Sequence, residues 1–261
     1  MKIQWLGTGS AFTNYLKNWQ TSALITLPNG YKLLFDCGSD TKNALVQAGI
    51  DPISIDAIYI SHLHGDHIGG MEYLGFMNYF MPESKGQPDL YIHNSLAGRL
   101  WQALAPGMES IQNQTNTLDI YFEVQRIEKN GTFELFEYGF KPIQVTHIVN
   151  DATIEPAFGL MITTPEGKKI FLTSDTQDSP SQLRNFYESA DVIYHDCETL
   201  PFCTGVHSNF MEMSKLPAAD KAKMRLVHFQ DNVVDEPDVW RLKAEAAGFG
   251  GFVMRGEEFT H

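Results

Sequence analysis

Between Ser61 and Gly70 the chain reads SHLHGDHIGG, which places His62, His64, Asp66 and His67 within six residues. Imidazole nitrogen and carboxylate oxygen are the donors that zinc and similar cations take, at about 2.0–2.2 Å. His62 and His64 are two apart, so both can face one side of a short extended segment. Asp66 and His67 follow as the chain turns into a helix and can reach a second ion. Gly65, Gly69 and Gly70 are expected to relieve crowding at that turn. The preceding IDAIYI is apolar and β-branched enough for a buried strand, so the run sits at a strand end. A surface cluster is the bland alternative, and so dense a set of ligand types argues against it.

One run cannot complete two coordination spheres, so further donors must come from other strand ends. Three stand where apolar runs stop: His147 closes IQVTH, Asp175 closes IFLTSD and His228 closes RLVH. Each alone fits a capping or hydrogen-bonding role equally well. The three cysteines, Cys37, Cys197 and Cys203, are odd in number and match no zinc spacing, which argues against a disulfide framework. Cys37 and Cys197 read as small buried residues and not as nucleophiles. GTGS, from Gly7, lacks the Gly-Lys-Ser/Thr ending of a phosphate loop and is expected to form a tight turn near the donors.

These donors need a frame. Strand-like runs recur at KIQWL, SALITL, YKLLFD, IDAIYI, DLYIH, DIYFEV, TFELFEY, KPIQVTHI, FGLMITT, KKIFLTSD, DVIYHD and RLVHF. LPNG from Leu27 and TPEG from Thr164 are turn signals, the second a hairpin. Helical stretches are expected over Thr41–Ala48, Gly69–Phe80, Asn94–Leu104, Ser179–Ser189 and Pro237–Ala247. Tyr73, Met77 and Phe80 form a stripe at helical spacing and are expected in the core. Hairpins in each half with interspersed helices predict an α/β protein of two packed sheets covered by helices. No linker or repeat divides the chain, so 1–261 reads as one domain. Trp101 to Leu118, rich in Gln, Asn, Met and Ser, shows no clean periodicity and reads as a lid, an interface loop or a surface loop with a frayed helix.

Nineteen Lys and Arg against 32 Asp and Glu give a net charge of −13, which disfavours a long polyanion such as tRNA or DNA. Lys168-Lys169 and KAKMR from Lys221 are too short to form a basic stripe. No run approaches the roughly 20 apolar residues of a membrane span. MKIQWLGTGS has no signal-peptide pattern, so a soluble, cytoplasmic protein is expected.

The series His62, His64, Asp66, His67, then His147, Asp175 and His228, each after a strand, resembles the ligand pattern of the metallo-β-lactamase family, from LGTGSA at Leu6 to about Phe229. The resemblance implies an αββα sandwich of two mixed β-sheets flanked by helices, with two divalent metal ions per subunit, zinc or alternatively manganese. It implies His62, His64 and His147 on the first ion, Asp66, His67 and His228 on the second, and Asp175 between them. FDCGSD, VIYHDCE, GVHSNF and LVHFQD resemble the ribonuclease Z-like branch, in which a histidine on a loop before the last ligand serves the chemistry; His207 matches it. The tRNA-processing members carry a basic arm that this chain lacks, and HFQDN has Gln230, Asp231 and Asn232 where they tend to have Arg and Tyr.

GTGSAF, NWQ, HLHGDHIGG and HDCE together look most like the anti-Pycsar phosphodiesterases of phages and bacteria. That likeness implies hydrolysis of small cyclic nucleotides, cyclic CMP and UMP among them, in a homodimer working in the host cytoplasm if a phage encodes it. Asp66 and His207 would be catalytic. Tyr15 and Trp19, with Phe12 beside them, could stack on a base, although aromatics flanking strands more often pack in the core. Asp196 could stand near the substrate or orient a histidine. Rival readings are a tRNA 3′ endonuclease, a thioesterase or lactonase of the same fold, and a metal-binding ligand sensor.

Overall fold

In a computed structural model the described residues, 1–151 and 153–261, form two compact units. The first comprises Met1–Gly7, Trp19–Lys129 and Gly256–His261; the second comprises Thr8–Asn18 and Asn130–Arg255.

The first unit is built on a seven-stranded sheet. Its order is Glu258–Thr260, Lys2–Gly7, Ser22–Thr26, Lys32–Phe35, Ala57–Ile60, Asp89–His93 and Glu123–Ile127. The first four pair antiparallel and the rest parallel. LPNG closes the hairpin in which Thr26 faces Lys32. Ala57–Ile60 is buried at every position, as its unbroken apolar run requires of a parallel strand covered on both faces.

The second unit holds a six-stranded sheet in the order Met224–Val227, Val192–Asp196, Lys169–Leu172, Ala157–Thr163, Tyr138–Val145 and Phe133–Leu135. TPEG forms the hairpin that sets Thr163 opposite Lys169. The strands Lys169–Leu172, Val192–Asp196 and Met224–Val227 run parallel, so their C-terminal ends open on one edge. Helix Pro180–Ser189 buries Leu183 and Tyr187 in a cluster with Phe171, Ile193, Met224 and Ala244. Helix Pro237–Ala247 ends at Gly248 with φ 87°, a left-handed position that suits glycine.

Several expectations need correction. Helix Asn94–Met108 extends about one turn beyond Leu104, the expected end, and Pro106 is tolerated within it. Leu96, Leu100, Leu104 and Met108 are buried at fourfold spacing, and the expected helix misses only the last of them. Beyond it lies a short hairpin, Ser110–Ile111 with Gln114–Thr115. DIYFEV does not begin as a strand: Leu118–Tyr121 is a helical turn, anchored where the Tyr121 hydroxyl donates to the Met108 carbonyl at 2.7 Å. The helix Met71–Phe80 buries Met71, Leu74, Gly75 and Asn78, leaving Tyr73 and Met77 half-buried and Phe80 exposed. GTGS is extended, not a tight turn, and forms a parallel bridge between Gly9 and Phe229.

Candidate metal centre

The histidine run follows the buried strand Ala57–Ile60, and the turn Gly65–Ile68 carries Asp66 and His67 inward. The ring centroids of His62 and His67 are 4.0 Å apart, and those of His62 and His64 4.7 Å. His67 Nε2 faces Asp66 Oδ2 at 3.3 Å. His67 Nδ1 is 2.7 Å from Asp36 Oδ2, a carboxylate that also accepts the Ser61 hydroxyl and, through Oδ1, the Ser61 N–H. A proton held on Nδ1 by Asp36 leaves the Nε2 lone pair for a cation. Burial raises the Asp36 pKa above the ordinary carboxylate range, against the opposing pull of His67 and Ser61.

The loop carrying Asp36 lies against the turn. Cys37 N–H donates to the His67 carbonyl at 2.8 Å, and Gly70 N–H to the Cys37 carbonyl at 2.9 Å. A side chain at Gly38 would strike the Asp66 carbonyl, and one at Gly69 the Ser39 hydroxyl. Gly65, expected to relieve crowding as well, faces open space.

In the second unit Asp175, Asp196 and His228 stand at the ends of the parallel strands, and His147 follows the antiparallel strand Tyr138–Val145. Asp175, Asp196, His207 and His228 offer ligand atoms that all lie within 4.8 Å of one another. His228 Nε2 is 3.4 Å and His147 Nε2 is 3.7 Å from Asp175 Oδ2. His147 Nδ1 donates to the Val206 carbonyl at 2.7 Å, which turns Nε2 toward Asp175, and burial lowers the ring's pKa. Ser174 and His228 take left-handed φ angles of 55° and 63°, as Asp36 does at 60° in the first unit; such strained residues collect at functional sites.

His207 stands on the loop between Val192–Asp196 and Met224–Val227, its Nδ1 2.8 Å from Asp196 Oδ2. Burial pulls its pKa down, but the Asp196 charge and hydrogen bond outweigh that, and the net direction is up. The loop is pinned by Glu198, a buried carboxylate that accepts the Thr204 N–H and hydroxyl and the Asn209 amide. Asp196 is itself 1% exposed: Oδ2 also accepts the Thr176 N–H at 2.9 Å, and Oδ1 faces His228 Nδ1 at 3.3 Å. That position fits the orienting role and not substrate contact.

Tyr15 is 62% and Phe12 98% exposed. Their loop is held at its base by Asp231, which accepts the Thr13 hydroxyl and the Asn14 N–H. Trp19 is half-buried, with its Nε1–H donating to Gln47 at 2.8 Å. Asp36 and Glu198 escaped the sequence reading, although Asp36 closes an apolar run just as Asp175 does. Cys37 and Cys197 are fully buried, and burial raises both thiols, Cys37 to about 12; neither is a nucleophile. The donor set of neutral imidazoles and carboxylates, without thiolate, fits borderline and hard divalent ions such as zinc or manganese.

A family model described as "Anti-Pycsar protein Apyc1" matches residues 1–259. The chain belongs to this anti-Pycsar protein family. An anti-Pycsar protein of Bacillus phage vB_BveM-Goe7 is 32% identical over 249 residues, covering 89% of this chain and 90% of that protein. One from Paenibacillus harenae is 33% identical over 235 residues, covering 89% and 91%. The family thus has phage and bacterial relatives.

Among solved structures, the metallo-β-lactamase fold protein YhfI of Bacillus subtilis aligns with TM-score 0.76 at 18% identity, covering 99% of both chains. Zinc-bound PqqB of Methylobacterium extorquens aligns with TM-score 0.74 at 16% identity, covering 100% of both. The anti-Pycsar chain therefore has the metallo-β-lactamase fold. Family and donor set together support a metal-dependent hydrolase. No helix among the described residues is long and apolar enough to cross a membrane.

Proposed function

We propose that this protein hydrolyses cyclic mononucleotides, cyclic CMP and UMP and also cyclic AMP and GMP, to nucleoside 5′-monophosphates, and so counters cyclic-nucleotide antiphage signalling. Residues 1–261 act as one hydrolase domain, in a homodimer in the cytoplasm. His62, His64 and His147 would hold one divalent ion and Asp66, His67 and His228 a second, with Asp175 offering a carboxylate oxygen to either group. Zinc suits these nitrogen and oxygen donors, with manganese the alternative. Such ions, when bound, supply Lewis-acid charge against the phosphate and lower the pKa of water.

The chain's own groups do the rest. Asp66 orients the attacking water and takes its proton. As the P–O3′ bond breaks, His207 Nε2 donates a proton to the departing 3′ oxygen, while Nδ1 stays bound to Asp196. Tyr15 and Trp19 offer faces for the base. A net charge of −13 is no obstacle to a small substrate whose phosphate is met by local cations.

The observation that carries this reading is the Asp196–His207 pair: an imidazole held 2.8 Å from Asp196 Oδ2, its pKa raised by that charge, in one cluster with Asp175 and His228. The test is product chromatography after zinc- or manganese-loaded protein meets cyclic CMP, UMP, AMP and GMP, with Asp66→Ala as control. Conversion to 5′-monophosphates that disappears in the control is expected. Four intact substrates with metal bound would refute the reading. Gel filtration at several concentrations tests the dimer.

A further inference from the structure

The polar chain behind Asp196 continues into the helix Pro180–Ser189. His195 is 1% exposed, and its Nδ1 lies 2.7 Å from the Asp196 carbonyl oxygen. A carbonyl only accepts, so Nδ1 carries a proton and donates. Burial lowers the His195 pKa, keeping the ring neutral, and Nε2 must then accept. The Tyr187 hydroxyl, 2.6 Å away, is its donor. Two distances thus fix both protons: Tyr187 O–H to His195 Nε2, and His195 Nδ1–H to the Asp196 carbonyl.

The hydroxyl stands out against its surroundings. Tyr187 is 4% exposed in an apolar cluster with Leu183, Ala190, Met224, Ala244 and Phe249. On its far side Asp196 is held as tightly. Its N–H donates to Thr173 Oγ1 at 3.0 Å, and its carboxylate meets Thr176, His207 and His228. The main-chain bonds fix where the side chain starts, and the carboxylate's own contacts with Thr176, His207 and His228 fix where it points.

We propose that Tyr187 and His195 are positioning residues for the hydrolysis. By fixing the main chain of Asp196 they aim its carboxylate at His207 and His228, although neither meets the substrate. The proposal rests on the reading of His207 as proton donor.

The test is Tyr187→Phe, which keeps the buried ring and removes only the hydroxyl. At a temperature well below its melting point, the metal-loaded variant should show kcat on the preferred cyclic nucleotide about tenfold lower, with KM within about twofold, as expected when an outer hydrogen-bond partner is lost. A lower Tm with unchanged kcat would mean that the hydroxyl only satisfies a buried histidine, and would overturn the proposal. The proton resonance of His207 Nδ1–H, read by NMR in both proteins, does not depend on the substrate. If the wild type cleaves no cyclic nucleotide, the substrate reading fails and this resonance alone decides. Displacement in Tyr187→Phe supports the positioning role, and an unmoved resonance overturns it.

Discussion

Asp36 Oδ2 and His67 Nδ1, 2.7 Å apart and both fully buried, form the kind of carboxylate–imidazole pair that sets a ligand's tautomer. Asp36→Asn replaces an acceptor by an amide, which cannot both satisfy Ser61 and accept the His67 proton. Zinc affinity should fall about 10–100-fold, as a competition titration with a chromophoric chelator would show. His195 gives a pH dependence of defined sign. Its folded pKa lies below its ordinary value of 6.5, chiefly through burial. The stability it contributes is therefore complete above that value and is lost as pH falls below it. Between about pH 7.5 and 5.5, the urea midpoint of His195→Gln should fall less than that of the wild type, because the variant has no ring to charge in the core. Equal losses would assign the acid sensitivity to other groups.

At the scale of elements, the site is made where strands stop. Asp36, His62, Asp175 and His228 each lie within three residues of a strand's end, which is why a hunt for ligand types at the ends of apolar runs found most of them. Gly38 tests how closely the Asp36 loop must approach the histidine turn. In Gly38→Ala the new methyl would meet the Asp66 carbonyl and Gln20 Oε1 at 2.9 Å. Both melting temperature and metal affinity should drop. Gly30→Ala is the control: at φ 88° in open space it costs about 1–2 kcal/mol of backbone strain and leaves metal affinity alone. A Gly38→Ala protein with wild-type metal affinity would show that the loop and the turn move independently. Helix Asn94–Met108 shows where reading by element fails. Its buried stripe of Leu96, Leu100 and Leu104 continues to Met108, but the internal Pro106 conceals that last turn.

For the whole molecule, bound metal should add stability by mass action. At a hundredfold excess over Kd the gain is about 2.7 kcal/mol, or roughly 5–10 °C in Tm for a chain of this size. Calorimetry before and after EDTA would measure it, and an unchanged Tm would mean that the donors bind no ion. With a charge of −13, kcat/KM on a small substrate should change little between about 50 and 200 mM salt, whereas a protein gripping many phosphates loses orders of magnitude. By itself the sequence offered the candidate donors and marked most of the strands and hairpins, while the mixed pairing of the two sheets followed only from the family resemblance. Ligand chemistry restricts residue type, and alternation with turn signals restricts strands, so both are written locally. It also showed only short basic runs, Lys168-Lys169 and KAKMR from Lys221. Which nitrogen of each imidazole is held by a hydrogen-bond partner was decided only in three dimensions. Asp36 for His67, Val206 for His147 and Asp196 for His207 are hydrogen-bond partners 31, 59 and 11 residues away in the chain. Local sequence carries no record of such pairings, since strand register and loop path bring them together. The tautomer of a buried histidine is a property of that packing, not of the residue.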